Sequence, residues 1–123
     1  MNNDKQIVKI QLDYLQGPIW MSDPETGEPI TGIDIIDNDS VIVDLNHKAG
    51  TMFNSYYEFD SHGAPCWFNS EKEKLERNTM LDLISQIKER LEEINDGSFV
   101  VEDLETERLN NLWAINDCAI SWL

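Results

Sequence analysis

Two apolar stripes at helical spacing constrain this chain more than any other feature. Val41, Ile42, Leu45, Ala49, Met52, Phe53 and Tyr56 recur along one face. Ahead of them, Asp37-Asn38-Asp39-Ser40 offers side chains that accept from the unpaired N–H groups of a first turn. A helix is therefore expected from about Asn38 to Tyr57, weakened by roughly 1 kcal/mol at Gly50 relative to alanine. The second stripe is Met80, Leu83, Ile84, Ile87, Leu91 and Ile94, with Leu75 fitting it loosely. Asn69-Ser70 followed by Glu73 resembles a capping box that would open this helix, and Asn95-Asp96-Gly97 would stop it. A Glu73–Arg77 pair would steady its exposed side by roughly 0.2–0.5 kcal/mol. The same stripe could pack on a copy of itself, so the oligomeric state is left open.

Such helices need a partner layer. Residues 6–14 alternate, with Val8, Ile10, Leu12 and Tyr14 on one face and Lys9, Gln11 and Asp13 opposite, which is the period of a half-buried strand. Gly17-Pro18 breaks it. Ile19–Met21 and Thr31–Ile36 read as two further strands, joined by the turn-rich loop SDPETGEP at 22–29. Ser98–Leu104 reads as another strand, Glu105–Trp113 as a short third helix, and Ala114–Leu123 is ambiguous. The expected fold is a single α+β domain over residues 1–123: a small, mainly antiparallel sheet packed with two long helices and a short third one.

Charge narrows the function classes. The chain carries 24 acids against 9 bases, a net charge of −15. Residues 13–60 hold ten acids against Lys48, and residues 92–123 hold eight against Arg108, whereas residues 70–91 balance. Nucleic-acid binders need basic patches, and anionic lipid attracts basic ones, so neither direct nucleic acid nor membrane is expected as a partner. A basic protein is favoured instead, because clustered charge of one sign speeds its encounter. Acidity that serves solubility alone would look the same from composition. No apolar run approaches the ~20 residues of a membrane span, and the N-terminus lacks a secretory pattern, so a cytoplasmic location is expected. Cys66 and Cys118 are expected to be free and buried.

Motifs for catalysis are missing. The sequence contains no GxGxxG, GxxxxGK, GxSxG or HExxH. Asp34, Asp37 and Asp39 suggest calcium, but neither register places glycine sixth and glutamate twelfth. Zinc would need the scattered set His47, His62, Cys66 and Cys118, with no CxxC to anchor it. Carboxylates near Cys66 would raise its thiol pKa and oppose nucleophilic use. No cofactor, metal or catalytic residue is expected.

The stretch YYEFDSHGAPCWFN at 56–69 concentrates five aromatic side chains with two acids, and Gly63 and Pro65 force the backbone to turn. Phe59, Trp67 and Phe68 could plug the end of the sheet–helix interface. The segment could equally form a docking surface, since tyrosines beside carboxylates suit Arg or Lys. The phrases GPIW, DPETGEP, TGIDIIDND, YYEFDSHGAPCWFN and EINDGSFVVEDLETERL resemble those of immunity proteins from contact-dependent growth-inhibition and related polymorphic toxin systems, over roughly residues 6–110. That resemblance implies a cytosolic, non-enzymatic antitoxin that binds a cognate toxin domain, often a basic nuclease. It fixes no fold and assigns no binding residues. Charge reasoning alone selects Asp23, Glu25, Asp37, Asp39, Glu58, Asp60 and His62 as partner-binding residues. The alternatives are a small enzyme using the 56–69 loop and a nucleic-acid mimic directed at a host nuclease.

Overall fold

The alternation at the N-terminus becomes β1 (Gln6–Ile10), with Val8 and Ile10 buried and Lys9 facing out. The computed structural model describes residues 5–15, 17–23, 25–61 and 63–111. β2 (Ile19–Trp20) pairs antiparallel with β1, Lys9 opposite Trp20 and Ile10 opposite Ile19. On the other edge of β1 lies β5 (Phe99–Asp103), paired parallel in register from Gln6–Phe99 to Ile10–Asp103. This three-stranded sheet has the order β2-β1-β5. A separate hairpin, β3 (Tyr57–Ser61) and β4 (Ala64–Phe68), is antiparallel. The architecture is α+β, as expected. Its sheets combine two antiparallel pairings with one parallel ladder, β1–β5, which the alternation pattern did not distinguish.

Helix α1 (Asp34–Asp37) is one turn, and α2 (Ser40–Asn54) is the first long helix. α3 (Ser70–Leu75) and α4 (Arg77–Ile94) follow the hairpin, and a last helix, α5, is described over 106–111. The core is continuous from the sheet into the helices: Val8, Ile10, Ile19 and Phe99 meet Ile42, Leu45, Ala49 and Phe53 of α2. Met80, Ile84, Ile87 and Leu91 of α4 and Leu109 of α5 complete it. Each of these side chains other than Ala49 contributes about 1.5–3 kcal/mol when fully buried.

Several expectations are corrected. Thr31–Ile36 is not a strand. The Asp37 carboxylate accepts from the Thr31 N–H at 3.1 Å, the Thr31 hydroxyl at 2.6 Å and the Gly32 N–H at 2.9 Å. With Gly32 at φ 84°, this wraps the backbone around one helical turn, and local capping overrides the β-branched run. The second long helix is split at Glu76. Asn69 rather than Ser70 caps α3, accepting from the Lys72 N–H at 3.0 Å, and Glu73 turns inward instead of pairing along the exposed side with Arg77. Phe59 is 54% exposed, so it plugs no interface, whereas Phe68 packs against Phe53, Tyr56 and Tyr57. Cys66 is a free, exposed thiol opposite Phe59 on the hairpin. Tyr14 also escapes the buried face, because β1 ends at Ile10 and the chain turns at Tyr14-Leu15, with Leu15 at φ 61°. His62, Trp113, Cys118 and the ambiguous stretch 114–123 lie outside the described residues.

Candidate protein-docking face

Asn46 organises the acidic side of the molecule. It sits within the apolar stripe of α2 and is fully buried. Its Oδ1 accepts from the Ile19 N–H at 2.9 Å, and its Nδ2 donates to Ser22 Oγ at 2.9 Å and to the Gly27 carbonyl at 2.7 Å. Two turns along α2, Asn54 Oδ1 accepts from the Leu15 N–H at 2.8 Å. These two amides clamp the connection after β1 and the 22–29 loop against α2. Close approach then demands glycine. A Cβ on Gly17 would meet the Asn46 side chain at 2.5 Å, and one on Gly27, at φ 77°, would meet His47 Cβ at 2.4 Å.

The clamped loop closes on itself. The Asp23 N–H donates to the Glu28 carbonyl at 2.8 Å, the Ile30 N–H donates to the Met21 carbonyl at 2.8 Å, and Ser22 bridges to Pro29. Asp23 Oδ1 accepts from the Glu25 and Thr26 N–H groups at 2.8 and 3.1 Å, so this carboxylate shapes the turn. Between the loop and the first half of α2 lies an open hollow of about 430 Å³, lined by Thr26, Glu28, Asp37, Ser40, Asp44 and His47 among others. Three acidic residues, Glu28, Asp37 and Asp44, thus line one concavity wide enough for a lysine or arginine side chain. The Lys48–Asp44 pair at its edge spans 3.1 Å with both partners largely exposed, a geometry that contributes little and yields readily to a competing cation.

The sites chosen from charge divide into distinct settings. Asp23 and Glu25 shape or occupy the loop that forms one wall of the hollow, and Asp37 is among the residues lining it. Asp39 does not line the hollow, and its carboxylate is already engaged. It caps α2 by accepting from the Ile42 N–H at 3.0 Å, and both its oxygens accept from Arg90. The Arg90 hydrogen bonds hold its carboxyl below the usual range. Glu58 lies on the hairpin, where its Oε2 accepts from Asn69 Nδ2 at 2.9 Å. Asp60 is in β3 by its backbone, its side chain lies outside the described residues, and so does His62. Sequence reasoning missed Glu28, Asp44 and His47 of the hollow and the clamp Asn46. The signal for Asn46 was present: an amide inside a buried helical stripe must find partners across the interface.

Three bases are held by acids that do not line the hollow. Lys88 pairs with Asp103 at 2.9 Å, Arg90 with Asp39 and Glu93, and Arg108 with buried Glu73 and Glu105 at 2.8 and 2.7 Å. Beside the hairpin, the Tyr14 ring packs at a tilt against Tyr57 and Phe59, with ring centres 4.6 and 5.9 Å apart. Tyr14, Leu15 and Phe59 remain exposed there, next to Asp13 in sequence. Among the described residues no group of three His, Cys, Asp or Glu is arranged to hold a metal ion, and no helix is long and apolar enough to cross a membrane. Comparison with protein-family models, curated proteins and solved structures finds no match to this chain.

Proposed function

We propose that this protein is an immunity protein that acts in the cytoplasm and neutralises a cognate toxin domain, a basic nuclease, by electrostatic occlusion. The observation that carries the reading is the hollow lined by Glu28, Asp37 and Asp44, an acidic concavity on a strongly acidic chain. A lysine or arginine that the toxin uses to hold RNA or DNA enters it and meets carboxylates in place of phosphates. Asp23 and Glu25 steer from the rim. Close, desolvated pairs of this kind couple by about 1.5–7 kcal/mol, and the wider field raises the on-rate. Glu58 of β3 adds a carboxylate on the hairpin, Asp60 and His62 are proposed as contacts from charge reasoning alone, and the exposed rings of Tyr14 and Phe59 suit a stacking arginine. The locked state of Asp39 makes it a framework residue of this face rather than a direct contact.

The test is capture from the native host on the tagged protein, at low and then high salt. The expected result is a single basic partner, toxic when expressed alone, held at low salt and released by high salt. Glu28→Lys with Asp44→Lys should slow its association at least ten-fold. Capture of that partner with unchanged kinetics would move the contact away from the hollow. Capture of no protein under either condition would end the inhibitor reading altogether.

A further inference from the structure

The single turn α1 borders two hollows. Asp37 lines the acidic one already described, Asp34 and Ile35 line a second, and Asn38 lines both. The second is an open hollow of about 440 Å³, completed by Asp39 and by Ile94, the last residue of α4. Its apolar wall follows from the sequence DIID. Neighbours on a helix point about 100° apart, so the two isoleucines cannot both enter the core. Ile36 is fully buried where α1 meets α2 and α4, and Ile35 is left 39% exposed.

The second hollow differs in character from the first. Ile35 and Ile94 supply apolar surface, and Asp39 is engaged by Arg90 and by the first turn of α2. The Asp34 carboxylate is exposed and has no hydrogen bond or ion pair among the described residues. Arg90 brings one positive charge to this neighbourhood, against Asp34, Asp39 and Glu93, so the balance stays negative. A free carboxylate beside two isoleucines matches a long aliphatic stem with a cationic head. Arginine suits it better than lysine, because a guanidinium is weakly hydrated and tolerates apolar walls.

The two hollows are close enough for one segment of a partner. Asp34 and Asp37 are one turn apart in α1, which sets their Cβ atoms about 5–6 Å from each other. Alternate side chains of an extended strand are spaced by about 6.6 Å. The ridge between the hollows is also fixed in advance, since Asp37 holds Thr31 and Gly32 through three hydrogen bonds. Little ordering of α1 therefore opposes docking.

We infer that α1 divides a two-part docking groove, whose second part takes an arginine two residues away from the cation that enters the first. The occupant is an extended basic segment of a protein partner. This inference rests on the basic partner proposed above and adds the chemistry and spacing of the side chains it presents.

NMR of the full chain tests it, with backbone amides and isoleucine methyls observed at low salt. The probes are the capped peptide Arg-Ala-Arg and N-acetylarginine amide. Arg-Ala-Arg should shift the Ile35 and Ile94 methyls and the Asp44 and His47 amides in one saturable transition. Asp34→Asn with Ile35→Ser should weaken that peptide about five-fold, the scale of one exposed ion pair with its apolar contact. The response of Asp44 and His47 to N-acetylarginine amide should be unchanged in this variant, which shows that the first hollow is intact. Peptide shifts confined to the first hollow, spread evenly over the acidic surface, or absent would overturn the inference. Equal affinity of the peptide for variant and parent would do the same. The functional reading falls on a different result, the capture of no protein from the host.

Discussion

Arg90 of α4 grips Asp39, the residue that caps α2, through two parallel hydrogen bonds, Nε to Oδ2 at 3.0 Å and Nη2 to Oδ1 at 2.7 Å. The same Asp39 Oδ2 accepts from the Ile42 N–H, so one carboxylate starts a helix and fixes its neighbour. Asp39→Ala removes both functions. It should lower stability by about 1–2 kcal/mol, the usual cost of a lost N-cap at the upper end, read from the urea midpoint. Asp39→Asn keeps the cap and loses the ion pair, so it should fall between the two. Equal stability of all three proteins would mean that this contact is cosmetic.

Arg108 lies between two carboxylates that the fold has buried, Glu73 at 2.8 Å and Glu105 at 2.7 Å. Burial pushes the Glu105 carboxyl up, and Arg108 opposes that shift. Arg108→Leu leaves both acids without their cation and should cost about 3 kcal/mol. This is the low end for breaking a buried pair, because Arg108 itself reaches water. The double change Arg108→Leu with Glu73→Gln should recover part of the loss. No recovery in chemical denaturation would argue against coupling between the two groups.

The clamp at Asn46 predicts a loop-specific defect. Asn46→Ala deprives the Ile19 N–H and the Gly27 carbonyl of their partner and should destabilise by about 3 kcal/mol. Gly27→Ala should cost at least as much as an ordinary strained turn, about 1–3 kcal/mol, because its Cβ meets His47 and its φ is 77°. In both variants, amide exchange should quicken across residues 19–30 more than in α4. Uniform exchange through the whole molecule would contradict a local clamp.

Leu15 occupies the left-handed region, φ 61°, which costs a leucine about 1–2 kcal/mol. Its side chain is about half exposed, so Leu15→Gly forfeits little packing and should raise stability by about 1 kcal/mol in equilibrium unfolding. A drop would show that its apolar contacts outweigh the strain. If stability rises while partner binding weakens, leucine is retained for the interface.

Acid should loosen the junction between β5 and α5. Burial alone would raise the Asp103 carboxyl, but hydrogen bonds from the Thr106 hydroxyl and N–H, the Lys88 ammonium and the Glu105 N–H outweigh it and hold the group at about 2. A depressed folded value gives stability that is present above the ordinary 3.8 and lost as pH falls toward about 2. Stability against urea should therefore decline between those values, and Asp103→Asn should flatten that decline. An unchanged slope would mean other carboxylates dominate acid unfolding.

The long elements were legible because their signals are periodic. β1, α2, α4 and β5 follow from stripes and alternation that burial produces directly. Thr31–Ile36 was misread because a single carboxylate, Asp37, gathers three donors there, and a local cap leaves no period in the sequence. The inward turn of Glu73 was hidden for a related reason: its partner Arg108 lies 35 positions away in sequence. Of the site, the acidic 22–29 loop and Asp37 could be chosen from charge. Which carboxylates share a concavity depends on Asn46 pulling the loop onto α2, a tertiary event. Asp39 shows the limit of charge counting, since its partner lies 51 positions off in sequence.

The parallel pairing of β1 with β5 also sets the order in which the protein can assemble. Residues 6–10 find their full-length ladder only at residues 99–103, so nearly the whole chain must be present before the sheet can close. Until then, β1 has only the two-residue contact with β2 on its other edge. Closing so large a loop adds to the entropy of the folding barrier, and contacts of high sequence separation slow two-state folding. On the ribosome, the hairpin and α2 can form early. The second edge of β1 must wait unpaired until residues 99–103 emerge, an interval in which a chaperone can compete for it.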